Sequence, residues 1–333
     1  MSQIVRFRPG KTIGYSSNNV ESKALHRGFI IRYIQLRLQG APTVTAGNNT
    51  QAKTLRGDEW ACVRSITIRA NGTDEIKRIS GPNLWWHNLL WFSVPPKVTS
   101  ALGDGATANP SFDSVLTIPF AIPRSRRSFD TVLDTKKLQS LDVEIQWGTF
   151  TDINGDATAW TTEPSIEITT CESHGAKVPG TQWKHYEIEQ DIVASNTKLQ
   201  VMLPVGPIYR GFYLAFTDAG VESNAILNNL KIVSGSTVLY DLPAHIMQRD
   251  ISMRYAIPEI NSGTAIIQHQ RSNAGDYDGI YYLDMVTDGL MSEGIDSHGL
   301  AELFLELDVT VGGGTTKAFI VPHQIYPVRK KSA

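Results

Sequence analysis

The sequence of 333 residues predicts an all-β protein in which one β-rich domain occurs twice in tandem, with short helices beside the strands. Three observations lead to this prediction. Short runs alternate apolar and polar residues with the period of two that is typical of half-buried strands. A 13-residue window recurs later in the chain, and two further windows recur at nearly the same offset and in the same order. A self-match at a fixed offset indicates a repeated architecture before any single strand is assigned.

The longest repeat aligns residues 133–145 with residues 295–307 without a gap, at an offset of 162 (295 minus 133). Its matched pairs include Asp134/Asp296, Leu138/Leu300, Leu141/Leu303 and Glu144/Glu306, which are identical, and Thr135/Ser297, which differ by a methyl group. In both copies we predict a short helix capped by the aspartate, because a carboxylate accepts the free N–H groups of a first helical turn. An alternating strand follows. Chance likeness between two amphipathic strands also explains this window when it is taken alone.

The other two repeats add a hairpin and a helix to the repeated unit. The matched windows are 65–72 with 229–235 and 75–79 with 238–242, at offsets of 164 (230 minus 66) and 163 (238 minus 75). Asn71-Gly72 predicts a hairpin turn, because both residues tolerate positive φ. Each hairpin leads into a run that starts with Pro82 or Pro243, and proline suits the first position of a helix. The sequence therefore predicts two copies of one domain.

The composition is that of a folded globular protein, with 41% hydrophobic and 19% charged residues. A net charge of −2 argues against binding of nucleic acid by overall charge, and no sequence-specific nucleic acid is expected as a partner. Cys62 and Cys171 are too few for a disulfide framework and are predicted to be small buried residues. The first ten residues lack the apolar core of a signal peptide, and no run approaches the ~18 apolar residues of a membrane span. A reducing cytoplasm is the simplest compartment.

Loops and composition predict the domain boundaries. The predicted segments are an N-terminal arm over residues 1–11, a first domain over 12–171, a linker over 172–184, a second domain over 185–326 and a basic C-terminal tail over 327–333. Two long loops are predicted at residues 41–59 and 93–112. The counterpart of the first loop in the second domain, at residues 217–223, is much shorter.

Residues 84–92 form the most apolar run of the chain and contain three of its tryptophans. Clustered tryptophans could form a stacking platform for sugars or bases. We favour a helix that packs against the sheets, with Trp85, Leu89 and Phe92 on its buried face, because helical spacing of apolar residues is typical of core helices.

The sequence offers little that indicates catalysis. The eight histidines are scattered, and the motifs of nucleophile elbows, phosphate-binding loops and zinc-binding helices do not occur. No enzymatic activity, no catalytic residue and no cofactor are therefore predicted.

A calcium loop is the single metal site that the sequence suggests. Its candidate ligands, at loop positions 1, 3, 5 and 12, are Asp152, Asn154, Asp156 and Glu163. Ala157 occupies the position where such loops hold glycine. The preferred interpretation is a hairpin loop that turns at Asn154-Gly155.

Nine basic residues are candidates for assembly or for contact with a membrane surface: Arg6, Arg8, Lys11, Arg124, Arg126, Arg127, Arg329, Lys330 and Lys331. Residues 124–127 are interpreted either as a solvated loop or as a subunit contact. The basic residues near the two termini are interpreted either as solvated tails or as groups that face anionic lipid, where each contributes about 1 kcal/mol.

One stretch of the sequence carries a resemblance to a known family. Its residues are Ile118-Pro119-Phe120, Arg124, Leu133-Asp134-Thr135-Lys136-Lys137-Leu138 and Leu141-Asp142-Val143-Glu144-Ile145-Gln146-Trp147-Gly148. Together with the plan of two tandem all-β domains over residues 12–326, this stretch resembles the double jelly-roll major capsid proteins of tailless icosahedral bacteriophages with an internal membrane. The resemblance implies two tandem eight-stranded jelly-roll β-sandwiches, a double jelly roll, with short flanking helices.

The resemblance also implies an assembly role. Three chains would form a pseudo-hexagonal homotrimer that tiles an icosahedral virion shell over the membrane, after assembly in the host cytoplasm. The implied partners are the chain itself, neighbouring capsomers, penton and minor capsid proteins, and the anionic lipid of the membrane. The long loops would be exposed on the outer surface of the shell.

Two other classes of protein compete with the capsid interpretation. A carbohydrate-binding or glycoside-hydrolysing β-sandwich would show exposed aromatic residues around a concave face, and paired carboxylates ~5–10 Å apart. A trimeric phage spike or tail component would show repeats shorter than a whole domain.

Overall fold

The computed structural model describes residues 4–49, 58–94, 96, 98–102, 106–123, 131–174, 180–255, 279–286 and 293–327. These residues form two compact units, of which the first ends at Gln182 and the second begins at Trp183. None of the helices in the described ranges is long and apolar enough to cross a membrane.

The first unit is built almost entirely of strands. Its elements are β1 (Ile4–Gly14), β2 (Val20–Ala24), β3 (Ile30–Thr43), a 3₁₀ helix (Asp58–Cys62), β4 (Val63–Ala70), β5 (Asp74–Ile79), α1 (Gly81–Phe92), β6 (Val98–Ser100), β7 (Phe112–Pro119), β8 (Leu133–Asp134), β9 (Leu141–Trp147), α2 (Phe150–Ile153) and β10 (Ala159–His174).

These strands form two antiparallel sheets. One has the order β1-β10-β3-β7-β6, with β8 beside β3, and the other includes the run β5-β4-β9-β2. Strand alternation places the apolar residues inward: on β9, Leu141, Val143 and Ile145 are buried, while the polar residues between them are partly or fully exposed. Each such buried aliphatic side chain contributes about 1.5–3 kcal/mol to folding. The sequence pattern of this strand is thus explained by its position in a sandwich.

The second unit repeats the plan. Its elements are β11 (Thr181–Tyr186), β12 (Ile188–Ile192), β13 (Asn196–Met202), β14 (Ile208–Asp218), β15 (Val221–Glu222), β16 (Leu227–Ser234), β17 (Thr237–Pro243), α3 (Ala244–Tyr255), β18 (Ile280–Asp284), β19 (Ile295–Asp296), β20 (Phe304–Val309) and β21 (Thr316–Pro327).

One sheet of this unit runs β15-β14-β21-β11, with β12 on β21 and with β18 and β19 on β14; the other runs β13-β20-β16-β17. One hydrophobic core takes residues from both sheets, such as Phe212 and Leu214 on β14 and Leu305 and Leu307 on β20. The order β13-β20-β16-β17 matches β2-β9-β4-β5 of the first unit strand for strand. The repeat that the sequence predicted is therefore a repeat of topology.

The helix predicted at the start of the longest repeat is wrong in both copies. Asp134 ends the two-residue strand β8, and its carboxylate accepts a hydrogen bond from the backbone N–H of Lys136 (3.0 Å). Asp296 ends β19 and accepts from the N–H of His298 (2.9 Å). An aspartate that bonds two residues ahead forms an Asx turn. The aspartate therefore closes a turn between two strands and does not begin a helix.

Helix α1 packs in the interior, as predicted, but one residue of its predicted buried face is exposed. Trp85 and Leu89 are buried, whereas Phe92, the last residue of the helix, is 43% exposed. Ser93 ends the helix with a positive φ of 52°, and its N–H bonds to the carbonyl oxygen of Leu89 (2.8 Å). Chain reversal at this cap directs the end of the helix toward solvent.

Two of the predicted boundary segments contain strands, and most of a third lies outside the residues that the structure describes. The range predicted as an arm, residues 1–11, holds most of β1, which is hydrogen-bonded to β10. The range predicted as a linker, residues 172–184, includes the end of β10 and the start of β11. The predicted basic tail, apart from Pro327, lies outside the described residues.

Candidate assembly site

The longest sequence repeat forms the same buried hydrogen-bonded anchor in both units, beginning with Thr135 in the first. Strand β8 pairs with the start of β3, and Thr135 follows it with no exposed surface. The Thr135 hydroxyl donates to the carbonyl oxygen of Phe29 (2.7 Å). It also accepts from the backbone N–H groups of Gly28 (3.1 Å) and Phe29 (3.2 Å). One side chain thereby bonds three backbone groups where the chain enters β3.

In the second unit, Ser297 takes the position of Thr135. Strand β19 pairs with the start of β14, and Ser297 is again fully buried. Its hydroxyl donates to the carbonyl oxygen of Pro207 (2.6 Å) and accepts from the backbone N–H of Gly206 (2.9 Å). The threonine–serine match in the sequence was the signal for this anchor, and the predicted site residues did not include it.

Strand β1 carries three of the predicted basic residues, and the structure separates them into two roles. Arg6 and Lys11 are exposed. Arg8 is mostly buried: its Nε lies 3.2 Å from Oε1 of Glu172, whose side chain has no exposed surface. Its guanidinium also lies 5.0 Å from the centre of the Phe29 ring. Arg8 therefore fixes β1 to the first unit, and Arg6 and Lys11 face solvent.

The remaining six predicted basic residues lie outside the described residues: Arg124, Arg126, Arg127, Arg329, Lys330 and Lys331.

Strand β17, at the edge of its sheet, exposes an apolar run that the sequence analysis missed. Val238 is 53%, Leu239 38% and Tyr240 36% exposed. The corresponding strand of the first unit, β5, has Ile76 and Ile79 fully buried. Both strands contain apolar residues, so strand periodicity alone could not distinguish the covered strand from the bare one.

The structure gives other roles to residues of the predicted calcium loop. Oδ2 of Asp152 accepts a hydrogen bond from the backbone N–H of Thr149 (2.7 Å), the residue that caps α2. The same oxygen lies 3.3 Å from Nη2 of Arg64. Oδ1 of Asn154 accepts from the N–H of Asp156 (2.9 Å). The fourth candidate, Glu163, is exposed on β10. In the described part of the chain, no three His, Cys, Asp or Glu side chains form a group that could hold a metal ion.

The tryptophans belong to the core. Six of the seven, all within the described ranges, are buried: Trp60, Trp85, Trp86, Trp91, Trp147 and Trp183. The seventh, Trp160, is half-buried and meets the ring of Tyr15 edge-on at 5.4 Å. The tryptophan content, which suggested a stacking platform, is therefore accounted for by packing.

Comparison with known proteins identifies the fold. No family model and no curated protein sequence matches the chain. The crystal structure of the STIV MCP aligns with a TM-score of 0.71 and 13% identity, covering 97% of each chain. The major capsid protein P2 from bacteriophage PM2 aligns with a TM-score of 0.64 and 13% identity, covering 99% of this chain and 100% of that one. The PBCV-1 virus capsid aligns with a TM-score of 0.63 and 9% identity, over 97% and 94%. The chain therefore has the double jelly-roll fold of viral major capsid proteins, as the sequence resemblance predicted.

Proposed function

We propose that this protein is the structural major capsid protein of an icosahedral virus, and that it acts as a building block and not as an enzyme. The observation that carries the proposal is the fold, which aligns with the STIV MCP and with P2 of PM2 over 97% and 99% of this chain. An alignment of this extent supports a structural role for the chain as a whole.

Three chains are proposed to form a pseudo-hexagonal homotrimer. Each chain supplies two units of the same topology, so a threefold ring contains six similar units and fits a hexagonal lattice. Closed rotational symmetry buries the same pair of surfaces at every contact and stops growth at three. Two-sheet sandwiches suit dense packing of this kind, because most strands are paired on both sides.

The proposed setting is a virion shell that surrounds an internal membrane, assembled in the host cytoplasm. Neighbouring capsomers, penton proteins and minor capsid proteins are the proposed partners. Arg6 and Lys11, which are exposed, and the basic tail at residues 329–331 are proposed to face anionic lipid.

Light scattering coupled to size-exclusion chromatography, followed by electron microscopy of the peak, tests the proposal. We expect a mass of about 110 kDa (three times 36.8 kDa) and particles with a hexagonal outline. A monomer that is retained on an oligosaccharide column would contradict the capsid role and favour the carbohydrate-binding class.

A further inference from the structure

We propose that the β17 edge of one chain docks on the β1 edge of a second copy, and that this seam joins the subunits. The inference rests on the proposed homotrimer and names the surfaces that would form it. A closed ring of three requires two different complementary surfaces on every chain. The structure offers two such surfaces, one in each unit.

The first surface is β17. It is the last strand of the order β13-β20-β16-β17, so one of its backbone edges has no neighbouring strand in that order. Val238, Leu239 and Tyr240 are consecutive and all exposed. The pairing with β16 skips Leu239, because Ile232 is opposite Tyr240 and Val233 is opposite Val238, so the regular alternation of side chains is interrupted there. An exposed apolar run on an edge strand is typical of a surface that is covered by a partner.

The second surface is β1, the edge strand of the sheet β1-β10-β3-β7-β6. Val5 is 44% and Phe7 56% exposed, and Arg6 between them is also exposed. Val5 and Phe7 therefore point to one face of the strand and Arg6 to the other. Asp241 of β17 is 48% exposed, but its Oδ2 lies 3.1 Å from Nζ of Lys231 on β16, so its charge is compensated within its own sheet. Both edges thus present apolar side chains, and a contact between two β1 edges would bring two Arg6 charges together, which favours β17 as the partner of β1.

Two other edge strands of the same chain show how an unpartnered edge is built. Strand β2 carries Glu21 and Lys23, and β13 carries Lys198 and Gln200. Charged and polar residues of this kind prevent strands from pairing at an edge. The exposed apolar residues of these two strands, Val20 and Met202, stand singly at a strand end. Of these four edge strands, β1 and β17 are the two that expose more than one large apolar side chain.

Cysteine cross-linking tests the seam on the full chain. We would combine V5C or F7C with V238C or Y240C on one polypeptide and treat each of the four variants with a short bismaleimide. The native cysteines are 0% and 2% exposed and are not expected to react. We expect covalent dimers and trimers on denaturing gels from at least one pairing. Each single-cysteine variant, and a V5C/V193C control that uses the 91% exposed Val193, should stay monomeric on the gel.

A charge substitution gives an independent readout. V238D should reduce the mass in solution to one third, whereas V193D should leave it unchanged, with both variants matching the wild type in circular dichroism. Should the wild type be a trimer while no pairing cross-links and V238D remains trimeric, the seam is wrong and the proposed function stands. Should the wild type be a monomer, both proposals are overturned.

Discussion

His87 lies at the centre of α1 with no exposed surface, and its Nδ1 is 2.7 Å from the carbonyl oxygen of Asn83. Burial lowers the pKa of His87 to about 3. The unfolded chain takes up a proton on this residue below about pH 6.5, whereas the folded protein does not until about pH 3. The unfolded state therefore binds more protons in this range. The free energy of unfolding is expected to fall by about 1.4 kcal/mol for each pH unit as the pH decreases from 6.5 toward 3.

Replacing this histidine should flatten that pH dependence. H87Q keeps a polar side chain of similar length but carries no proton between pH 3 and pH 7. We would measure urea unfolding by tryptophan fluorescence at several pH values. Between pH 6.5 and pH 3, the free energy of unfolding of H87Q should fall by about 1.4 kcal/mol less for each pH unit than that of the wild type. H298Q, at an exposed turn position, is the matched control. Equal acid sensitivity of H87Q and the wild type would show that His87 does not contribute.

The Arg8–Glu172 pair makes a second prediction about single residues. E172Q removes the charge partner of the Arg8 guanidinium, which lies against the Phe29 ring. Because the Arg8 side chain is 22% exposed, water offsets part of the lost interaction. We expect the free energy of unfolding to fall by about 1–3 kcal/mol and amide exchange along β1 to accelerate. The exposed pair Arg37–Asp113 provides the control, because D113N should change neither quantity appreciably. Unchanged exchange in E172Q would mean that β1 is held by its backbone pairing alone.

At the scale of elements, the repeated hydroxyl anchor is the sharpest prediction. T135V and S297A each remove a buried group that bonds the backbone at the entry to a long strand. Each should lower the free energy of unfolding by about 1–3 kcal/mol, because each removes at least two hydrogen bonds of a hydroxyl on a residue with no exposed surface, and one such bond contributes about 0.5–1.5 kcal/mol. The effects should add in the double variant, since the two anchors lie in different units and share no partner.

Urea unfolding of the two single variants and the double variant measures this additivity. T161V is the control, because Thr161 is exposed and water can replace its bond to Thr43. A loss of stability in T161V as large as that in T135V would mean that the buried position of the Thr135 hydroxyl makes no difference to its contribution.

The elements show which structural features the sequence could predict. The alternation of Leu141, Val143 and Ile145 identified β9 and its buried face, because side-chain period and burial are directly linked. The aspartates of the repeat were assigned to helix caps, although they close Asx turns. A carboxylate serves both motifs, and the choice depends on the strand pairing of β8 and β19, which local sequence does not contain. The matched Thr135 and Ser297 were visible in the alignment, but their hydrogen bonds reach residues ninety or more positions away.

For the whole molecule, the basic residues near the N-terminus predict a graded affinity for membranes. We expect R6Q/K11Q to bind vesicles containing phosphatidylserine roughly fivefold more weakly for each residue removed, with no change on neutral vesicles. R8Q should keep its vesicle affinity, because Arg8 is held against Glu172 and Phe29. Co-sedimentation with vesicles of both compositions measures the difference. Equal losses in R8Q and R6Q/K11Q would argue against the proposed membrane-facing role.

At this scale the sequence predicted the duplicated architecture and the fold but not the surfaces. Offsets of 162 to 164 between repeats established two similar units, because an insertion or deletion of a few residues does not hide a repeat of this size. The greater exposure of the apolar residues on β17 compared with those on β5 could not be predicted, since Val238 and Ile76 are alike in hydropathy. Which strand is covered depends on neighbours that are distant in sequence.

The two units differ in the connection that follows strands β3 and β14. In the first unit, β3 ends at Thr43 and β4 begins only at Val63, whereas in the second unit β14 turns directly into β15 through Ala219 and Gly220, which have φ of 52° and 83°. In the proposed ring, three long and three short connections would therefore occur in each tile. The long connection leaves more room for insertions and substitutions than the short turn, because loops tolerate such changes better than the strands they join.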